Sequence, residues 1–335
     1  MSRQRIRLGI VGAGTVGELH AAAVASLSDR VVVTAVVDPV AEAAQRLADP
    51  VGARVLTDYT ELVDSGLVDA VVVGSPHAEH RRQVVELTSA GLPVLVEKPM
   101  ALSEVDAEAM VLSARVHGVT FGVGLLQRHL PTVQTAQHLI RDGAIGAPRL
   151  VVDRRGGRYE PGTRPAWFLD ASSGAGGIIT NLGTHSVDKL FQLTGQDVAT
   201  VATAWARRDD VVTDSTVALD LEGIRANIVL TGTGLPFADL TEVIGDEGAL
   251  HVDRTSGVTL YRRGEAVHTE PTPSADITIA FVRQLDQFVD AVLTGTDPPA
   301  DGAYGLKVVR TIEAIERAAG VPAEIVDAEV TDAQP

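Results

Sequence analysis

Residues 6–17 read IRLGIVGAGTVG, a short apolar run that breaks into Gly12-Ala13-Gly14-Thr15-Val16-Gly17, followed by helical spacing over Glu18–Leu27. This is G-x-G-x-x-G between a strand and a helix. Gly12 permits a tight turn, Gly14 lets a ligand approach the backbone, and Gly17 lets the helix pack closely on the strand. A helix N-terminus offers free N–H groups and positive dipole, which suits a pyrophosphate. The next strand signal, Val31–Val37, ends at Asp38, 24 residues beyond Gly14. An acid at that position accepts from the ribose hydroxyls of NAD and repels the 2′-phosphate of NADP. The residues after it, Pro39-Val40-Ala41, include no Arg or Lys. The expected cofactor is therefore NAD, with NADP disfavoured, held by Gly12, Gly14, Thr15, Val16, Gly17 and Asp38.

The pattern continues on both sides of that turn. Ala70–Val73 and Val94–Val96 are further unbroken apolar runs, separated by helical spacing at Ala41–Leu47, Arg81–Ala90 and Glu104–His117. Continuous apolar strands alternating with helices predict a parallel sheet covered on both faces. Ser103 and Asp106 form a capping pattern for the last of these helices. Residues 124–145 read as one helix, with Pro131 near its start. From Arg149 onward alternation takes over: Val198–Ala206, Thr213–Leu221, Arg225–Thr231, Leu240–Gly245, Ala249–Val252 and Val258–Tyr261. These predict an antiparallel sheet with one face under helix. Ile277–Thr294 and 303–319 read as helices. The fold class is α/β: a doubly wound Rossmann domain over 1–122, then an α+β domain over 123–300 with a largely antiparallel, open-faced sheet. The 303–319 helix is expected to return to the first domain, and 327–335 to form a loose acidic tail.

Composition removes other classes. The 335 residues contain no cysteine, which excludes disulfides, thiolate metal sites and a cysteine nucleophile. A formal charge of −16 argues against nucleic acid as a partner. No apolar run approaches the length of a membrane helix, and the basic start runs into glycines, Glu18 and His20. The expectation is a cytoplasmic protein.

Several further motifs carry a resemblance. Ser75-Pro76 is followed by His80, and Glu97-Lys98-Pro99 follows a strand. Then come Gln127-Arg128 with Pro131, Gly143-Ala144-Ile145-Gly146, and a Gly-rich segment leading to Asn181, His185 and Asp188. In this order and spacing the chain resembles, over nearly its whole length, the Gfo/Idh/MocA oxidoreductases, which include glucose–fructose oxidoreductase and inositol dehydrogenase. The resemblance implies hydride transfer between a secondary alcohol of a sugar, cyclitol or sugar derivative and a nicotinamide. It implies that Lys98 hydrogen-bonds the reacting oxygen, that His185 is the general acid/base, and that Glu97 orients its neighbours. Ser75, Pro76, His80, Glu97, Lys98 and Gln127 would border the cofactor; Lys98, Arg128, Asn181 and His185 the substrate. It also implies a homodimer or homotetramer. Many members carry Asp where this chain has Asn181, so the tuning of His185 is the point of departure. A catalytically silent dinucleotide-binding regulator of the same fold is the alternative; Lys98 and His185 weigh against it.

His77 and His80 form H-x-x-H but have no third ligand at suitable spacing, so no metal is expected. No G-x-S-x-G elbow supports a serine hydrolase. Arg154, Arg155, Arg158 and Arg164 lie within 11 residues, opposed only by Glu160 and interleaved with Tyr159, Trp167 and Phe168. This stretch predicts either a solvated loop or a lid in which Arg158 and Trp167 meet a sugar ring and an anionic substituent.

Overall fold

A computed structural model describes residues 5–159, 162–163, 177–208, 211–232, 237–271 and 277–321. Six strands form the first sheet: β1 (Ile6–Val11), β2 (Val31–Val37), β3 (Arg54–Leu56), β4 (Ala70–Val73), β5 (Val94–Glu97) and β6 (Phe121–Gly124). They run parallel in the order β3-β2-β1-β4-β5-β6. The four residues of β4, all Ala and Val, are wholly buried. That explains why this sheet reads as unbroken apolar runs: helices cover both faces, so neither side of a strand can be polar. The covering helices are α1 (Thr15–Ser26), α2 (Ala41–Ala48), α3 (His80–Ser89) and α4 (Glu104–His117). Ser103 caps α4, its hydroxyl accepting from the Asp106 amide.

The chain then differs from the reading of residues 124–145 as one helix. A 3₁₀ turn at Leu126–His129 comes first, and α5 spans only Pro131–Arg141. Proline has no N–H and forces Leu130 into an extended conformation (φ −65°, ψ 136°), so it starts a helix instead of continuing one.

The second sheet comprises β7 (Pro148–Gly156), β8 (Thr200–Arg208), β9 (Val212–Leu221), β10 (Ile224–Thr231), β11 (Ala238–Gly245), β12 (Ala249–Asp253), β13 (Gly257–Arg262) and β14 (Glu265–Glu270). Its order is β14-β13-β12-β11-β7-β10-β9-β8, antiparallel except for β7 beside β10. Strand β14 was not expected. It is an edge strand exposed at every residue, so it carries no alternation to read. One face of the sheet is buried and includes α5 and α6 (Thr184–Thr194) among its covering elements, while Trp205 on β8 is 56% exposed on the other. Helix α7 (Thr278–Thr294) packs on α1, with Arg30 forking between Asp286 and Asp290. Helix α8 (Gly302–Ala318) lies against α4, with Arg310 between Glu104 and Glu108. Among the described residues no helix is long and apolar enough to cross a membrane.

Candidate active site

Strands β1 and β4 are neighbours at the point where the strand order reverses, which is where an open α/β sheet offers a crevice. The backbone there is crowded on one side and open on another. Gly12 has φ +96°, and a Cβ on it would stand 2.7 Å from the Gly74 carbonyl oxygen. A Cβ on Gly17 would stand 2.2 Å from the Gly12 oxygen, so α1 is seated directly on the turn. A Cβ on Gly14 would meet nothing within 4 Å. Gly14 is also the N-cap of α1, and no side chain caps the amides that follow. Open space in front of uncapped amides fits a pyrophosphate. Asp38 is tied to the same turn. Its Oδ2 accepts from the Ala13 amide and its Oδ1 from the Val40 amide, both at 2.9 Å.

The next wall is built from β4, β5 and α3. The Ser75 hydroxyl donates to Gln83 Oε1 at 2.6 Å. The two ring nitrogens of His80 lie 3.0 Å from the carbonyl oxygens of Ser75 and Pro99, so this buried ring bridges the Ser75-Pro76 turn and the cis Lys98–Pro99 segment. His77 stands edge-on to it at 5.6 Å. Burial pushes His80 below the ordinary histidine range. Burial, His80 and Lys98 together push His77 down to about 2.

Lys98 follows the end of β5 and is half-buried. Its ammonium donates to Asn181 Oδ1 and, at 3.3 Å, to the Asn181 carbonyl oxygen. Asn181 sits in a π-helical turn, Ile179–Gly183, that leads directly into α6. Such turns insert an extra residue into the helical ladder and re-aim side chains. His185 comes four residues later, in the first turn of α6. Among the described residues, the enclosed Asn181 Nδ2 and His185 Nδ1 have no hydrogen-bond partner. Burial holds His185 well below the ordinary histidine value, and the charges of Lys98, Arg155, Lys189 and Arg254 push the same way. With Asn at position 181, no carboxylate there offsets them.

Two of those cations belong to a network on the covered face of the second sheet. Lys189, 2% exposed and one turn beyond His185, donates to Asp153 at 2.8 Å and Asp239 at 2.7 Å. Arg155 donates to Asp239 at 2.9 Å and to Gln127 Oε1 at 3.0 Å. The Thr241 hydroxyl donates to Asp153 at 2.6 Å. Two cations and two carboxylates balance in charge. Lys189 and Arg155 hold Asp153 at about 2 against the opposing effect of burial.

The expected site residues are thus distributed as follows. Gly12, Gly14, Thr15, Val16, Gly17 and Asp38 line the first crevice. Ser75, Pro76, His80, Glu97, Lys98, Asn181 and His185 lie around the ends of β4 and β5 and the start of α6. Gln127 is buried against Arg155. Arg128 lies in a buried cluster: it donates to Asp188 at 2.5 Å and to the Pro299 carbonyl oxygen at 2.8 Å, and its guanidinium lies 4.3 Å from the Tyr304 ring centroid. The basic stretch does not form one patch. Arg154 is exposed and Arg155 buried, on opposite faces of β7, and Arg158 is exposed beyond it. Arg164, Trp167 and Phe168 lie outside the described residues, as does the 327–335 tail. Sequence reasoning missed His20, Asp153, Lys189, Asp239 and Arg254. A histidine on the apolar face of the fingerprint helix is a local signal for His20; the others have none.

Two family models match the chain. One, described as the GFO/IDH/MocA oxidoreductase family with an NAD-binding Rossmann fold, matches residues 6–125; the GFO/IDH/MocA C-terminal domain matches 133–251. The rhizopine catabolism protein MocA of Rhizobium meliloti is 28% identical over 318 residues, covering 92% of this chain and 94% of its own. An inositol 2-dehydrogenase of Rubrobacter xylanophilus is also 28% identical, covering 90% of this chain and 87% of its own. Among solved structures, GenD2 from gentamicin A biosynthesis in complex with NAD aligns with a TM-score of 0.84 at 28% identity, covering 96% of this chain and 95% of that one. With the glycine turn, the tethered Asp38 and the Lys98 segment already in place on a parallel sheet, these matches extend the likeness through the second sheet: the chain belongs to the GFO/IDH/MocA family of oxidoreductases.

Proposed function

We propose that the protein is an NAD-dependent dehydrogenase acting on a secondary alcohol of a sugar or cyclitol. The observation that carries this reading is the meeting of the Lys98 ammonium with Asn181, one turn before His185, beside a crevice that fits a dinucleotide. The nicotinamide, when bound, supplies the hydride acceptor. The chain's own residues do the rest. Lys98 donates a hydrogen bond to the alcohol oxygen and stabilises the negative charge that develops on it. His185 enters unprotonated, because burial and its four cationic neighbours oppose protonation. Its Nδ1 is enclosed, so Nε2 takes the alcohol proton. Asn181 accepts the Lys98 ammonium through its Oδ1 and so fixes where that donor points. The preference for NAD is assigned to Asp38, since an acid at the end of the second strand repels a 2′-phosphate. An inositol 2-dehydrogenase and the NAD complex of GenD2 among the relatives support the same class of reaction. Copies associate through the uncovered face of the second sheet, as a dimer or tetramer; light scattering that returns a monomer would remove this part of the reading.

The test is nicotinamide reduction across a panel of cyclitols, neutral sugars and sugar acids, with NAD and with NADP. Turnover of at least one polyol is expected with NAD, and its loss in Lys98→Met and His185→Ala. Tight NAD binding without turnover anywhere on the panel would overturn the reading.

A further inference from the structure

His20 and Glu97 are both buried, at 0% and 8% exposure, and no step above uses them as a pair. His20 Nε2 lies 2.9 Å from Glu97 Oε1. The other carboxylate oxygen, Oε2, accepts the Lys98 backbone N–H at 3.2 Å. Behind the carboxylate lies Gly124, where a Cβ would come within 2.8 Å of Glu97 Cδ and Oε1 and 3.0 Å of Oε2. The His20 ring is fixed in turn, with Phe281 of α7 edge-on at 5.0 Å. His20 sits on α1, whose Gly17 is seated on the Gly12 oxygen. The glycine turn, α1, His20, Glu97 and the Lys98 backbone therefore form one continuous chain of close contacts.

We propose that His20 and Glu97 are positioning residues that carry the placement of the dinucleotide-binding helix to Lys98, a role that rests on Lys98 acting as proposed above. Stability alone does not call for the pair. Apolar residues of similar volume often fill a buried site as well as a hydrogen-bonded polar pair does, whereas removing one partner strands the other. What this pair supplies is a fixed carboxylate beside Lys98, and catalytic side chains are held in productive geometry by such second contacts.

The experiment needs no turnover. The chain has only three lysines: Lys98, the fully buried Lys189, and Lys307, which pairs with Asp197. Labelling by pyridoxal 5′-phosphate with borohydride trapping, read by peptide mass, therefore reports on Lys98. In His20→Ala the labelling rate of Lys98 should change at least three-fold from wild type. The NADH dissociation constant, measured by nicotinamide fluorescence, should stay within three-fold. His20→Gln, which restores a donor to Glu97, should return labelling to within two-fold of wild type. With myo-inositol as substrate, His20→Ala should lower kcat ten- to a hundred-fold while KM for NAD changes little. Thermal melts establish that both variants fold. Unchanged labelling in His20→Ala, no recovery in His20→Gln, or a loss of NADH affinity that accounts for the whole loss of rate would each overturn the proposal. Wild-type protein inactive on the whole polyol panel, with labelling as expected, would instead overturn the proposed reaction and leave the positioning pair standing.

Discussion

At the mouth of the parallel sheet the polar groups are backbone amides, one tethered carboxylate and open space. On the covered face of the second sheet they are Arg155, Lys189, Asp153 and Asp239, closed on one another. The first arrangement leaves donors unspent and so can receive a ligand. The second spends most of them internally, leaving Arg155 Nε, Asp153 Oδ2 and Asp239 Oδ2 over among the described residues, so it fixes geometry and sets the field around His185. Breaking the two regions should have different signatures: activity at the first, stability at the second.

The largest effect is expected at Lys189. Lys189→Met removes the cation that Asp153 and Asp239 share, takes from buried Asp153 its ion pair and leaves Asp239 with Arg155 alone, which costs about 3–5 kcal/mol. Urea unfolding should show the midpoint falling at constant m. A loss under about 1 kcal/mol would mean that water reaches this face. Lys98→Met is the counterpart. Lys98 is half-buried and bonded to Asn181, so the fold should keep most of its stability. Loss of the donor proposed for the developing oxyanion should lower kcat by about 10²–10³, or roughly 2.7–4 kcal/mol. An unfolded Lys98→Met protein would erase the distinction between the regions.

How far each region can be read from the chain follows from how each is built. The Gly12–Gly17 turn, Asp38 and Glu97-Lys98-Pro99 are contiguous or follow directly on strand ends, so spacing alone places them. The network is set by register between distant strands: Arg155 faces Asp239, and Asp153 faces Thr241, across β7 and β11. Nothing near Arg155 in sequence announces a partner 84 residues away, and the three arginines near it make a basic loop the simpler reading. The 124–145 segment failed for a local reason, Pro131 acting as a start. Strand β14 failed because an edge strand wet on both faces has no apolar side to alternate.

A smaller effect tests the junction between the regions. His129 is buried at the end of the 3₁₀ turn, and Arg283 donates to its carbonyl oxygen at 3.1 Å. Burial, Arg128 and Arg283 push its ring down to about 3 from an ordinary 6.5. The unfolded ring therefore binds a proton that the folded one refuses between pH 6.5 and 3. Stability is fully present above 6.5 and falls with acidification through that window. At pH 5 the loss from this one residue is on the order of 2 kcal/mol. His77, His80 and His185 shift the same way. Unfolding free energies at pH 7 and 5 should differ less in His129→Gln than in wild type. An equal pH difference in the two would remove His129 from the account.

Asp38→Gly should weaken the proposed preference for NAD over NADP by about ten-fold, roughly 1.4 kcal/mol, because the repulsion of a 2′-phosphate is lost. Steady-state rates with both cofactors measure this; an unchanged ratio would move cofactor selection away from the carboxylate.

The smallest effect separates two adjacent residues that look alike in the sequence. Arg154 and Arg155 alternate across β7, one exposed and the other bonded to Asp239 and Gln127. Arg154→Ala removes a solvated charge and should stay within about 0.5 kcal/mol of wild type. Arg155→Ala leaves the Asp239–Lys189 contact in place but takes one donor from a buried carboxylate, so its cost should fall between those of Arg154→Ala and Lys189→Met. Equal costs at 154 and 155 would mean that the basic stretch behaves as a single patch. The ordering Arg154 below Arg155 below Lys189 would instead mean that burial and partner, not residue type, decide what each cation does.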